Sequence, residues 1–162
     1  MVVVGVVVWH TLGMKKGIDY IGVAVCFMCH DGKGNFLFTR RGPKARDEQG
    51  KWEVPAGGVE VGETVEAALH RELKEELCVE PKVVEYIGHR EHIAESEEGA
   101  RHWIVFSYLV EVDPEEVKIG EPDTCDGLHW SPLEEAPEPM HLAMRDSIIV
   151  VQNHLRAKTE LL

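Results

Sequence analysis

Three carboxylates crowd into five residues of this chain: Glu72, Glu75 and Glu76, in the run RELKEEL. Their spacing of i, i+3 and i+4 puts them on one face if the segment is helical, because each residue turns the helix by about 100°. Like charges at that spacing destabilise a helix by a few tenths of a kcal/mol each, so a compensating cation is called for. A hard divalent ion such as Mg²⁺ prefers carboxylate and carbonyl oxygens and keeps positions for water and phosphate. The other reading is a solvated acidic face with Arg71 and Lys74 as neutralising neighbours. On the three glutamates alone both readings stand.

The elements around them are legible from pattern. From Thr64 to Leu77, Leu69, Leu73 and Leu77 recur every four residues, and Val65 and Ala68 share their half of the cylinder, which predicts a helix with one buried side. The glycine-rich segment Gly57-Gly58 to Gly62 feeds it. Upstream, Ile21 to Cys29 and Phe36 to Arg41 read as strands joined by the turn Asp31-Gly32-Lys33-Gly34-Asn35. A polar loop, Gly42 to Lys51, then leads into Trp52-Glu53-Val54-Pro55. Downstream, Val83 to Ile93 and His102 to Val112 read as strands separated by an acidic loop from Ala94 to Arg101, and Leu128-His129-Trp130 as a short strand. Pro139 is positioned to open a last helix with Met144, Ile148, Val151 and Leu155 as its apolar stripe. Strands and helices in this order predict an α/β (α+β) domain, a mixed sheet covered by helices.

Composition narrows the function. The length of 162 residues suits one domain, 1–162. With 29 acidic against 17 basic side chains and a formal charge of −12, the chain opposes an extended grip on a nucleic-acid backbone, whereas a small phosphorylated substrate bridged by a cation is compatible. No apolar run approaches the roughly 20 residues of a membrane-spanning helix. The apolar start MVVVGVVVWH has no cationic leader and reads as an extra strand within residues 1–16, which pairs inside the domain or, as a second use, with another copy in a homodimer. Four cysteines without a disulfide-like pattern point to a reducing cytoplasm. Cys26 and Cys29 form a C-x-x-C, but on a strand they point to opposite faces and read as core residues. The nine histidines have no paired spacing of a zinc site.

The segment GGVEVGETVEAALHRELKEELCV resembles the Nudix box, G-x5-E-x7-R-E-U-x-E-E-x-G-U with U aliphatic. Gly57, Glu63, Arg71, Glu72, Leu73, Glu75, Glu76 and Val79 take eight fixed positions across 23 residues, Gly57 to Val79. Cys78 stands where the family has glycine, a position where a positive φ is common. The flanks resemble MutT-like members, so the likeness spans roughly Ile21 to Leu155. It implies a Nudix-type α/β/α sandwich and Mg²⁺, with Mn²⁺ as the alternative. In the family the positions of Glu75 and Glu76 bind metal, that of Glu72 helps hold it or orders the attacking water, and Arg71 and Glu63 brace loop against helix. The resemblance also implies a carbonyl ligand just before Gly57, here Ala56. A further acidic ligand is best matched by Glu121, with Asp123 and Glu98 as substitutes; each reads equally as a solvated loop carboxylate. Arg40 and Arg41, ending the strand before the loop, match phosphate geometry, and their other reading is surface charge.

The implied reaction is attack of water on a diphosphate bridge of a nucleoside triphosphate or related nucleoside diphosphate derivative. ADP-ribose pyrophosphatases resemble one another in a proline about fifteen residues after the box, and diadenosine polyphosphate hydrolases in a tyrosine there. The corresponding Ala94-Glu95 region has neither, which favours the MutT-like nucleoside triphosphate branch over an ADP-sugar pyrophosphatase. Arg90-Glu91-His92 and His102-Trp103 are candidate pocket residues. Met140 stands near the position where MutT reads an oxidised guanine with asparagine, so that specificity is not supported. The rival class is a Nudix module that binds nucleotides without cutting them; such modules commonly lose box glutamates, and this chain keeps all three.

Overall fold

A computed structural model describes residues 14–96 and 99–160. The apolar N-terminal strand and its use in dimerisation fall outside the described residues, as does the side chain of Glu98. The order is β1 (Gly22–His30), β2 (Phe36–Arg41), β3 (Trp52–Glu53), β4 (Ala56–Gly58), α1 (Val65–Leu77), β5 (Val83–Ser96), β6 (Gly99–Glu111), β7 (Cys125–Ser131), a 3-10 turn at Leu133–Glu135 and α2 (Met144–Glu160). The sheet is mixed. It runs β3-β2-β1-β6-β5, with β4 also on β1 and β7 also on β2. β1 and β6 are parallel and the other pairs antiparallel.

Strand alternation divides β1 between two cores. Val25, Phe27 and Cys29 face Leu69, Leu73 and Leu77 of α1, while Cys26 and Met28 face Met144, Ile148 and Val151 of α2. The result is the expected α/β/α sandwich, and Cys26 and Cys29 lie buried on its opposite sides as free thiols. Leu155 packs at the margin of the second core.

Trp52–Glu53 and Ala56–Gly58 form short strands that the sequence reading did not predict, β7 starts at Cys125, and two further boundaries differ. Residues 94–96 and 99–101 are not loop: β5 and β6 stay paired through Ala94↔Arg101, Glu95↔Ala100 and Ser96↔Gly99. An exposed residue such as Glu95 on a strand gives the same polar composition as a loop, which is why the pattern misled. Pro139 does not open α2. It follows a cis Glu138–Pro139 bond, its carbonyl accepts from the Trp52 amide at 2.8 Å, and the helix starts at Met144. The carbonyl is committed to β3, and the chain needs further residues to cross onto the sheet.

The ends of α1 follow their chemistry. Thr64 caps the N-terminus, its side chain accepting from the Ala67 amide. At the other end the Cys78 amide donates to Lys74 O and the Val79 amide to Leu73 O at 3.2 and 3.4 Å, a Schellman ending with Cys78 left-handed at φ 55°. A Cβ in that region costs about 1 kcal/mol or more. Cys78→Gly is therefore expected to stabilise the protein by about 1 kcal/mol, seen as a higher urea midpoint at unchanged slope; a lower midpoint contradicts the strain.

Candidate functional site

Glycine places the first glutamate. Gly57 lies in β4 beside α1, and a Cβ on it would come within 1.8 Å of Glu72 Cδ and 2.1 Å of Oε1. Only a bare backbone admits the buried Glu72 carboxyl here. Arg71 then ties loop to helix: Nη2 donates to Glu63 Oε1 at 2.6 Å and to the Gly58 carbonyl at 3.0 Å, and Nη1 to Glu72 Oε1 at 2.8 Å and Glu75 Oε2 at 3.0 Å. Glu63 also accepts from the Glu60 amide at 2.6 Å. The Glu63 hydrogen bond foremost, then those of Glu72 and Glu75, hold the guanidinium firmly charged.

Glu76 sits differently. It lines a cavity of about 210 Å³ together with Ala56, Glu53, Glu121, Thr39 and Arg41. No hydrogen-bond or ion-pair partner of its carboxylate is found among the described residues, while Arg71 serves Glu72 and Glu75. Burial first, then the charges of Glu72, Glu53, Glu121 and Glu75, push its pKa well above the usual carboxylate range. Burial also raises Glu72, against the opposing pull of Arg71. Glu75 is exposed. The three glutamates thus share a helix side without meeting at one point: among the described residues no three His, Cys, Asp or Glu side chains enclose a metal-sized site.

Glu121 is carried to this cavity by its neighbour. The Gly120 amide donates to Glu76 O at 2.8 Å, and a Cβ on Gly120 would stand 1.9 Å from Glu75 O. Thr124 Oγ1 donates to Glu121 Oε2 at 3.1 Å. Because the clash is with backbone, Gly120→Ala is expected to destabilise the fold by about 1–3 kcal/mol. Thermal unfolding checks this; an unchanged midpoint means the contact yields freely. Asp123 points elsewhere, to Lys44 at 2.8 Å.

A second cavity, about 500 Å³, adjoins the first and shares Arg41, Arg46, Glu53 and Ala56 with it. Its floor is the α2-facing side of the sheet, where Arg90, His92, Trp103 and Val105 project. Glu91 and His102, next in sequence to pocket residues, do not line it, as period-two alternation requires. Of the two arginines ending β2, Arg41 lines both of these cavities and Arg40 neither: Arg41 Nη1 donates to Glu53 at 2.5 Å and its Nη2 to Asp47 at 2.7 Å. Arg40 points the other way, pairing with Asp126 at 2.7 Å and lying over the Trp52 ring.

Sequence reasoning left Glu53, Asp47, Arg46 and Arg101 unassigned. Arg101 Nη1 donates to Asp47 Oδ2 at 2.9 Å, and Arg46 Nε reaches the same oxygen at 3.4 Å. Burial pushes the Asp47 carboxyl up, but the hydrogen bond from Arg101 and the charges of Arg41 and Arg46 outweigh it and hold the group below its ordinary range. Glu53 is raised by burial, partly offset by Arg41. Arg46 and Asp47 lie in a loop and Glu53 and Arg101 on strands, so no single periodic signal joins them; only their shared partners mark them.

Residues 20–150 match the NUDIX domain family. Among curated proteins, the chain is 29% identical over 104 residues to an RNA pyrophosphohydrolase of Pseudoalteromonas translucida, covering 62% of this chain and 49% of that protein. It is 32% identical over 131 residues to the human 8-oxo-dGDP phosphatase NUDT18, covering 78% and 36%. The matches thus span about a third to a half of these curated relatives' length. Among solved structures, a MutT NUDIX hydrolase from Burkholderia pseudomallei superposes with a TM-score of 0.71 at 29% identity, over 82% of this chain and 98% of that one. The NUDIX domain of Shewanella oneidensis NrtR, solved with ADP ribose, shares the fold at a TM-score of 0.68 and 18% identity, over 84% and 89%. A glycine-seated glutamate on a capped helix, braced by one arginine inside this sandwich, accords with those matches: the chain belongs to the NUDIX domain family.

Proposed function

We propose that the protein hydrolyses a diphosphate linkage in a nucleoside triphosphate or related nucleoside diphosphate derivative, with Mg²⁺ held at the α1 glutamates. The carrying observation is Glu76: a half-buried carboxylate with no partner among the described residues, ringed by Glu72, Glu53, Glu121 and Glu75. A protein would ordinarily pair or replace such a group. A hard divalent cation answers the arrangement, because the cavity brings the carboxylates of Glu53, Glu76 and Glu121 together beside Ala56.

Glu76 and the Ala56 carbonyl would hold the ion, with Glu121 across the cavity; Glu72 and Glu75, which Arg71 engages here, would turn towards it. When bound, the ion neutralises charge on phosphate oxygens and lowers the pKa of water. The rest falls to the chain. Glu72, whose proton affinity burial raises, accepts the proton of the attacking water. Arg71 keeps Glu72 in place. Arg41, Arg46 and Arg101, clustered on Asp47 at the wall of the larger cavity, steady the phosphate chain. Both cavities meet at Ala56 and Glu53, so a nucleoside in the larger one can pass its phosphates to the smaller.

Phosphate and pyrophosphate release from a panel of nucleoside triphosphates, ADP-ribose and 5′-triphosphorylated RNA, each with and without Mg²⁺, tests this. Mg²⁺-dependent turnover of nucleoside triphosphates is expected; tight binding with no turnover of any panel member would instead favour a nucleotide-binding module.

A further inference from the structure

A straight row of paired residues crosses four strands: Gly58 of β4 opposes Ala24 of β1, Ala24 opposes Val105 of β6, and Val105 opposes Arg90 of β5. All four line the larger cavity. Three strand spacings of about 4.8 Å set Arg90 about 14 Å from Gly58, and so from the glutamate end where the phosphates would lie. That interval fits one nucleotide laid across the sheet. Arg90 therefore stands where the base would end.

Its surroundings are unusual for a guanidinium. Nη1 donates to Ser107 Oγ at 3.1 Å and Nη2 to Ser147 Oγ at 2.9 Å. Nε is enclosed and has no acceptor. No carboxylate among the described residues pairs with it; Val105 is its partner across the strands, and the Cys26 thiol lies 3.6 Å from the Ser147 hydroxyl that Arg90 binds. A guanidinium has five N–H donors and no acceptor, so two serine bonds leave it short of partners. The serines, one from β6 and one from α2, fix its plane. Ser147 is itself buried and held by the Ala143 carbonyl at 3.1 Å.

The adjacent wall is a rigid ring. Trp103 lies against the backbone of Gly17 and Gly22, where a Cβ would come within 2.2 and 2.5 Å of it. An aromatic surface backed in this way suits base stacking.

We infer that Arg90 is a specificity residue that selects a nucleobase presenting two adjacent acceptors on one edge. Guanine does so through N7 and O6, cytosine through N3 and O2; adenine and uracil alternate acceptor with donor on each edge. A phosphate also offers paired acceptors, but the cationic cluster of Arg41, Arg46 and Arg101 gathers at Asp47, whereas Arg90 stands apart from it on two serine hydroxyls. The inference rests on the reading that this cavity holds a nucleotide.

Binding of the non-hydrolysable α,β-methylene analogues of GTP, CTP, ATP and UTP, and of methyl triphosphate, measured by calorimetry on wild type, Arg90→Lys and Ser147→Ala, tests it. Wild type is expected to bind the GTP analogue, the CTP analogue or both about tenfold or more tightly than the ATP and UTP analogues. Arg90→Lys keeps the charge but not the fork, so it should erase that preference and leave methyl triphosphate binding unchanged. Ser147→Ala should narrow the preference, since it frees the guanidinium plane. Equal affinity for all four bases in wild type overturns the inference, even if turnover persists. An Arg90→Lys protein weakened equally towards every ligand, methyl triphosphate included, assigns Arg90 to phosphate and overturns it also. Base preference without hydrolysis of the natural nucleotides upholds the inference and removes the hydrolytic reading.

Discussion

Glu76→Gln is expected to lower kcat for nucleotide hydrolysis about 1,000-fold, the factor that corresponds to roughly 4 kcal/mol of lost charge stabilisation in the transition state. KM should change little, because nucleoside contacts lie in the other cavity. The same substitution should raise the thermal midpoint of the metal-free protein at neutral pH. Burial and four neighbouring carboxylates raise the folded-state pKa of Glu76, so the native state binds a proton more readily than the unfolded chain. Stability is then greatest below the unfolded carboxylate pKa and falls as pH rises through the window up to the folded pKa. Gln carries no such penalty. Wild type should lose stability as pH rises towards neutral in chelator and regain it with Mg²⁺; the variant should lose less, since only Glu72 and Glu53 remain raised, and regain less. Equal kcat, or a pH–stability curve identical in both proteins, contradicts the role of Glu76.

Gly57→Ala is expected to reduce activity about 100-fold or more, the range of a misplaced proton-accepting group, while the protein stays folded. The added Cβ meets the Glu72 carboxyl at 1.8 Å. That group is the free end of a side chain, so it can swing aside at modest cost to stability, but it then leaves both its seat and Arg71. Circular dichroism should match wild type and kcat should fall. Retained activity means that the seat of Glu72 is not needed; unfolding means that the glycine serves packing alone.

What could be foreseen from the sequence follows from how local the signal was. The four-residue leucine period and Thr64 defined α1, and Cys78 sits at the left-handed position its place in the box implies. Strand alternation separated Cys26 from Cys29. Spacing also put three glutamates on one helix side, but not where their carboxyl groups end. Arg71 draws Glu75 outward, Gly57 receives Glu72, and Glu76 alone turns into the smaller cavity. Those outcomes depend on β4 and on the Gly120 loop, which reach α1 only through tertiary packing. Arg40 and Arg41 were indistinguishable as neighbours in sequence; one residue of alternation sends them to different faces. The Asp47 cluster, joining a loop to β2 and β6, has no one-dimensional signature at all.

The central claim is that the α1 glutamates seat a divalent ion, and Mn²⁺ titration followed by electron paramagnetic resonance reads this without requiring turnover. The account predicts saturable Mn²⁺ binding by wild type that Mg²⁺ displaces and that is lost in a Glu72→Gln, Glu76→Gln double variant. Equal binding by the folded double variant, or no saturable binding by wild type in the presence of a non-hydrolysable nucleotide, contradicts it.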